Sequence, residues 1–355
     1  MATHVLLPEE ILALSPSKQD GVSEDVERDH RFWGCELIEE AGVLLRLPQV
    51  VMVTAQTMLH RFFYRKSLRE FDAFRVAFGC LFLAAKVEEQ PKRMKEVLSV
   101  FYAIYRRRKW GKTALPQQVL DVDGDSYFLW RDWLVIVERQ LLIDLGFSLY
   151  NIMEHPHKYI LYYIKILDGS KALAQQAWGY LNDSLRIDLC VRFRAEAIAC
   201  AAIFLASRVL QVKLPQSPPW YSLFDVDRDT LVEVARAIWG LYQREKIVWL
   251  DPLTEINPFA VNDLPEEPAA SPHGKSPFSA SKPQPTAPEL FSTTRTKSES
   301  QLKPGARPRA PASAPSPAQS KLEQSGPRSR SPSAESPKRQ SQQKLRALAS
   351  TLDDI

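Results

Sequence analysis

Val76–Val87 reads VAFGCLFLAAKV, and Ile198–Val209 reads IACAAIFLASRV. Between the two stretches Ala77/Ala199, Phe82/Phe204, Leu83/Leu205, Ala84/Ala206 and Val87/Val209 are identical. Lys86/Arg208 keeps a positive charge and Ala85/Ser207 keeps a small side chain. Each stretch is apolar nearly all round, which predicts a helix buried at the centre of a bundle. Its small residues let neighbouring helices approach closely. The recurrence reads as an internal duplication.

Around these two stretches lie further runs with apolar residues recurring at three and four, the helical period. They are Arg31–Leu45, Pro48–Tyr64, Met94–Arg107 and Tyr127–Asp144 near the first copy, and His157–Leu167, Ala172–Arg186 and Thr230–Ile247 near the second. The central runs extend over Asp72–Ala85 and Ala195–Leu210. Pro48 and Pro156 suit a first helical turn, and Asp72 and Asp229 are expected as N-caps. No run alternates with period two, so no sheet is expected. The predicted fold class is all-α: two tandem helical bundles of about five helices each, joined near Tyr150–His157. Domain limits are expected at 1–27 for an N-terminal extension, 28–150 and 151–250 for the bundles, and 259–355 for a tail.

The tail differs in kind. Its residues Phe259–Ile355 hold 15 Pro and 17 Ser, whereas all eight Trp of the 355-residue chain lie at or before Trp249. Such a composition buries too little apolar surface to offset chain entropy, which predicts disorder. The tail carries 14 Lys+Arg against 9 Asp+Glu, leaving net −1 on residues 1–258. The folded part is therefore no strongly basic nucleic-acid binder. No apolar stretch is long enough for a membrane span, and no secretory signal opens the chain. Cys35, Cys80, Cys190 and Cys200 are far apart and mostly within apolar runs. They read as reduced, buried thiols rather than a disulfide framework or a zinc site.

Several motif fragments fail on spacing. Gly111-Lys112-Thr113 lacks the glycine of a phosphate loop, since Arg106 stands in its place. Asp121, Asp123 and Asp125 mimic a calcium loop but have Gly124 and Asp132 at the wrong positions, leaving an acidic turn and helix start. His155 and His157 lack further metal ligands. No nucleophile–base signature appears, so no enzyme and no cofactor is expected. The connection Arg106–Asp125 opens with four basic residues, Arg106 to Lys109, and reads as a basic surface loop or a contact with phosphate or an acidic partner.

The doubled helical pattern, the ending Leu83-Ala84-Ala85-Lys86-Val87-Glu88-Glu89 and the later run Val137-Glu138-Arg139-Gln140-Leu141-Leu142 resemble a cyclin. Within the family the chain is similar to cyclin L. The strings are CELIEEAGVLLRLPQVVMVTAQTMLHRFFYRKS (Cys35–Ser67), HPHKYI (His155–Ile160), LNDSLR (Leu181–Arg186), VRF (Val191–Phe193) and LPQSPPWYSLF (Leu214–Phe224).

The resemblance implies two cyclin boxes and a regulatory subunit without an active site. Such a subunit holds a cyclin-dependent kinase's mobile helix and activation loop in the active arrangement. Lys86 and Glu138 match the lysine and glutamate at the polar heart of that contact. Val87, Leu142, Phe147 and Leu149 would supply apolar contacts, with Glu88 and Glu89 as secondary candidates. Physics is compatible: Lys86 ends an apolar run, and Glu138 is flanked by Val135, Ile136, Val137 and Leu141. Charges so placed require partners. The alternative is a structural ion pair or a lysine whose stem covers apolar surface.

The expected partner is a nuclear kinase of the PITSLRE type, acting in RNA polymerase II transcription and pre-mRNA splicing. Alternatives are a transcription-elongation cyclin of the K or T type, a cyclin-fold nucleic-acid-binding factor, and a scaffold without kinase binding. The M-R-x-I-L-x-W docking string of cell-cycle cyclins is missing from Pro48–Phe62. In place of the long arginine–serine domain usual in cyclin L the chain has only Arg328-Ser329-Arg330-Ser331-Pro332. Ser271, Ser276, Ser316, Ser331 and Ser336, each before proline, are candidate phosphorylation sites. The tail is the expected contact for splicing factors or the polymerase machinery.

Overall fold

A computed structural model describes residues 6–111, 120–147, 149 and 154–254. Among these residues there is no β-strand, only an isolated bridge between Gln216 and Pro219. Two short helices, α1 (Glu9–Ala13) and α2 (Pro16–Gln19), come first. The first bundle follows: α3 (Glu24–Leu44), α4 (Gln49–Phe63), α5 (Ala73–Val87), α6 (Met94–Trp110) and α7 (Asp125–Asp144). The second has α8 (His157–Ile166), α9 (Lys171–Ser184), the one-turn α10 (Leu189–Arg192), α11 (Ala195–Val209) and α12 (Arg228–Gly240).

The duplicated stretches are α5 and α11, and each is the axis of its bundle. On α5 the residues from Ala73 to Ala85 are buried except Arg75, and on α11 those from Ala195 to Ser207 except Glu196. Helices α3, α4, α6 and α7 surround α5, while α8, α9 and α12 surround α11. Asp72 caps α5, its carboxylate accepting from the Arg75 N–H at 2.9 Å. Gly79 marks the closest approach of α5 to α7, since a Cβ there would meet Val137 Cγ1 at 2.4 Å.

Several boundaries differ from the sequence expectation. Helix α3 starts at Glu24, seven residues before the expected Arg31, because Ser23 caps it and acids fill its first turn. Two charges near its start are buried together: the Ser15 hydroxyl donates to Glu27 at 2.6 Å, and Arg31 pairs with Glu27 and donates to the Phe63 carbonyl at 2.9 Å. Helix α12 is capped by Asp227, which accepts from the Thr230 N–H at 2.8 Å, rather than by Asp229. It ends at Gly240 instead of continuing to Ile247.

The residues after Gln243 return to the first bundle. Ile247, Trp249, Leu250 and Leu253 pack on its core. Trp249 sits edge-on to Trp33 at 5.2 Å and to Tyr105 at 5.4 Å between ring centroids. Arg244 pairs with Asp29 on α3.

The two bundles meet through polar groups. Tyr64 donates to Asp188, Gln49 to Asn182 at 3.2 Å, and Arg186 pairs with Glu36 and Glu39. Buried His60 lies 3.0 Å from the Leu185 carbonyl and 3.3 Å from Cys35 Sγ. His155 and His157 belong to this junction. His155 bonds Thr54 at 2.9 Å, while His157 bonds Asn182 at 2.8 Å and meets the Trp178 edge.

The basic run Arg106–Lys109 lies on the last turns of α6, not in a loop, where cations suit the helix dipole. Arg107 and Arg108 pair with Glu40 on α3, and Arg108 reaches Glu36 at 3.7 Å. The Asp121 carboxylate accepts from the Asp123 N–H at 3.1 Å, closing an acidic turn before α7. Cys35, Cys80 and Cys200 are buried and Cys190 is half-buried.

Candidate functional site

Lys86 stands in the last turn of α5, one turn beyond Phe82, and its Nζ lies 4.0 Å from that ring's centroid. The ammonium donates to Glu138 Oε1 of α7 at 2.5 Å. Both carriers are core helices pinned by the Gly79–Val137 approach, so the pair is held by packing. Its two ends differ in access: the Lys86 side chain is 43% exposed and that of Glu138 17%. The ammonium therefore keeps donors free for a further partner.

Among the other expected residues, Val87, Leu142 and Leu149 are partly buried and rest on the first core. Phe147 is 70% exposed and follows Gly146 in a left-handed turn, with φ of 64° at Gly146 and 56° at Phe147. Its N–H donates to the Leu142 carbonyl at 3.0 Å, closing the end of α7. That turn presents a large apolar ring to solvent at a conformational cost. The structure thus separates the set into a joined polar pair, three anchored aliphatic residues and one displayed aromatic ring.

Glu88 and Glu89 part company. The Thr54 hydroxyl donates to Glu88 at 2.6 Å, linking Glu88 through Thr54 to His155. Glu89 is exposed and caps the end of α5 with φ of 54°. Glu88 is thus committed inside the chain, whereas Glu89 faces outward.

Val135 is 49% exposed and lies three positions before Glu138 on the same side of α7, one turn from that charge on a helix whose core stripe is Trp130, Leu134, Val137 and Leu141. Ile136 and Ile143 are also half-exposed on α7. Ser271, Ser276, Ser316, Ser331 and Ser336 lie outside the described residues.

Residues 3–150 match the family model for the cyclin N-terminal domain, and residues 155–238 that for the Cyclin-T2-like C-terminal domain. The chain belongs to the cyclin family. This cyclin is 41% identical over 253 residues to Cyclin-L1-1 of Arabidopsis thaliana, covering 71% of the chain and 59% of that protein. To Cyclin-L1 of Homo sapiens it is 43% identical over 245 residues, covering 68% and 45%. To human Cyclin-L2 it is 41% identical over 244 residues, covering 68% and 46%. The cyclin thus spans about half the length of the curated relatives it matches. Its fold is similar to that of a chain in the yeast RNA Pol II CTD kinase CTDK-1 complex, with TM-score 0.54 and 19% identity over 67% of this chain and 73% of that one. None of the described helices is long and apolar enough to cross a membrane.

Proposed function

We propose that this cyclin is the activating, non-catalytic subunit of a nuclear cyclin-dependent kinase of the PITSLRE type, acting in transcription coupled to pre-mRNA splicing. The observation that carries the reading is the Lys86–Glu138 pair, held by two core helices and left half-open on the lysine side. Lys86 and Glu138 would bond main-chain groups ahead of the kinase's mobile helix. Val87, Leu142, Leu149 and the displayed Phe147 would cover its apolar side. Similarity to cyclin-L proteins supports the assignment, and the fold neighbour belongs to a kinase complex. The Cyclin-T2-like match of residues 155–238 favours a second reading, an elongation-type kinase in place of the PITSLRE type.

The test compares residues 1–258 with a Lys86→Glu, Glu138→Lys variant as baits in nuclear extract. The swap keeps an ion pair inside the chain, so the fold is expected to persist, while the polarity offered outward reverses. A single kinase retained by the wild type and lost by the swap names the partner. Failure of both baits to retain a kinase, with helicity intact by circular dichroism, refutes the reading.

A further inference from the structure

We propose that a groove between the α3–α4 turn and the start of α6 docks a phosphorylated segment of a separate protein. The groove encloses about 540 Å³ and is walled by Arg46, Lys92, Arg93 and Lys95, over a floor that includes Leu44, Leu45 and Val100. Arg46 belongs to the turn after α3, the other three to the approach and first turn of α6, so two distant parts of the chain bring their charges together.

Like Arg65 and Arg139, these cations have no ion-pair partner among the described residues, but they line one groove together. Elsewhere in the first bundle Arg31, Arg75, Arg107 and Arg108 each meet a carboxylate. None of the four groove side chains forms an ion pair among the described residues. The groove's one acid, Glu96, accepts from the Arg93 backbone N–H at 3.1 Å and keeps its charge, so four cations against one carboxylate leave the lining net positive. Four like charges around one concavity repel one another. An anion from outside removes that repulsion and gains charge-assisted hydrogen bonds.

The chemistry of the floor chooses among anions. Leu44 is 51% exposed and the adjoining Val43 63%. An aliphatic surface beside cations fits a peptide that carries a phosphate and an apolar side chain. Single-stranded nucleic acid calls instead for aromatic platforms on which bases stack, and no aromatic residue lines the groove. The net −1 of residues 1–258 also provides no broader basic track. None of the residues assigned to the proposed kinase face lines the groove.

The experiment is fluorescence anisotropy on the full purified chain with a labelled Ser-Pro peptide of about 15 residues. It is used unphosphorylated and with two phosphoserines, at ~0.15 M salt. Expected is saturable binding of the phosphorylated form alone. A Lys92→Glu, Lys95→Glu variant is expected to weaken it about tenfold or more, with Lys92→Arg, Lys95→Arg binding as wild type. Both positions lie on the surface, and circular dichroism confirms folding of each variant. Four outcomes overturn the proposal. They are equal binding of both peptide forms, binding that survives the charge reversal and so resides elsewhere in the chain, displacement of the peptide by an equal-length polyuridine RNA at lower concentration, and no binding at all. The measurement needs no kinase, so its failure leaves the kinase reading untouched.

Discussion

Lys86 and Arg208 occupy equivalent positions of the two copies, each with its cation over the phenylalanine one turn earlier, at 4.0 Å from Phe82 and 5.1 Å from Phe204. Only Lys86 meets a carboxylate, Glu138; among the described residues Arg208 has no ion-pair partner. The duplication thus reproduced the cation–ring contact and left the paired charge to the first bundle alone. Lys86→Ala and Arg208→Ala are therefore expected to cost similar, small amounts of stability, each within about 1 kcal/mol in urea unfolding. Kinase retention separates them: it falls about tenfold or more for Lys86→Ala and stays unchanged for Arg208→Ala. Equal effects on retention refute the asymmetry.

Gly79 tests how closely α5 and α7 approach. A methyl group there collides with Val137 Cγ1, 2.4 Å from the added Cβ. Gly79→Ala is expected to destabilise the chain by about 1–3 kcal/mol in spite of the better helix propensity of alanine. Val137→Ala in the same chain is expected to recover part of the loss. A double-mutant cycle in urea reads the coupling, and simple additivity of the two changes argues against the contact.

The returning segment after Gln243 is predicted to be structural. Trp249 covers Trp33, Phe74 and Tyr105, all at the heart of the first bundle. Trp249→Ala is expected to cost about 2 kcal/mol or more. A chain ending at Arg244 is expected to bind a hydrophobic dye and to melt several degrees lower. An unchanged melting temperature on truncation contradicts this placement.

Acid is expected to open the junction between the bundles. Burial lowers the titration of both His60 and His155 from the ordinary 6.5 to about 4, with Asp188 opposing the shift at His60 and His157 adding to it at His155. Between pH 6.5 and 4 the unfolded chain binds protons that the folded chain refuses. Stability is then complete above about pH 6.5 and declines as the pH falls toward 4, by about 1–3 kcal/mol per histidine. His60→Gln is expected to flatten that decline. Urea midpoints measured across this range check the slope, and a flat wild-type profile refutes it.

Legibility followed the local signal. The axes α5 and α11 were plain because each is apolar on every side, and the Asp72 cap because a short acid precedes such a run. The start of α3 was hidden: Glu24, Asp25, Glu27, Arg28 and Asp29 look like solvated chain, and the burial of Glu27 and its partner Arg31 depends on Ser15 and Phe63 from other helices. Arg106–Lys109 looked like a loop for the same reason, since its acids, Glu36 and Glu40, lie on a helix some 70 residues away in sequence. At the candidate site, Lys86 and Glu138 were legible through resemblance. Their 2.5 Å contact and the outward turn of Phe147 were not, because both arise from how α7 lies on α5.

By itself the sequence determined an all-helical chain with two repeated apolar axes, because helix period and burial are written into the spacing of side chains. It also set a Pro- and Ser-rich basic tail apart from a nearly neutral folded part. Tertiary structure decided which charges are spent and which are available. Arg107 and Arg108 are paired with acids of α3, Glu88 accepts from the Thr54 hydroxyl, and His155 is half-buried at the junction. Lys86 keeps an open side, and Arg46, Lys92, Arg93 and Lys95 keep no counter-ion among the described residues. The physical reason is range. Backbone periodicity is fixed within a turn or two of chain, whereas a charge is satisfied by whatever group packing brings within a few ångströms, however far along the sequence it lies.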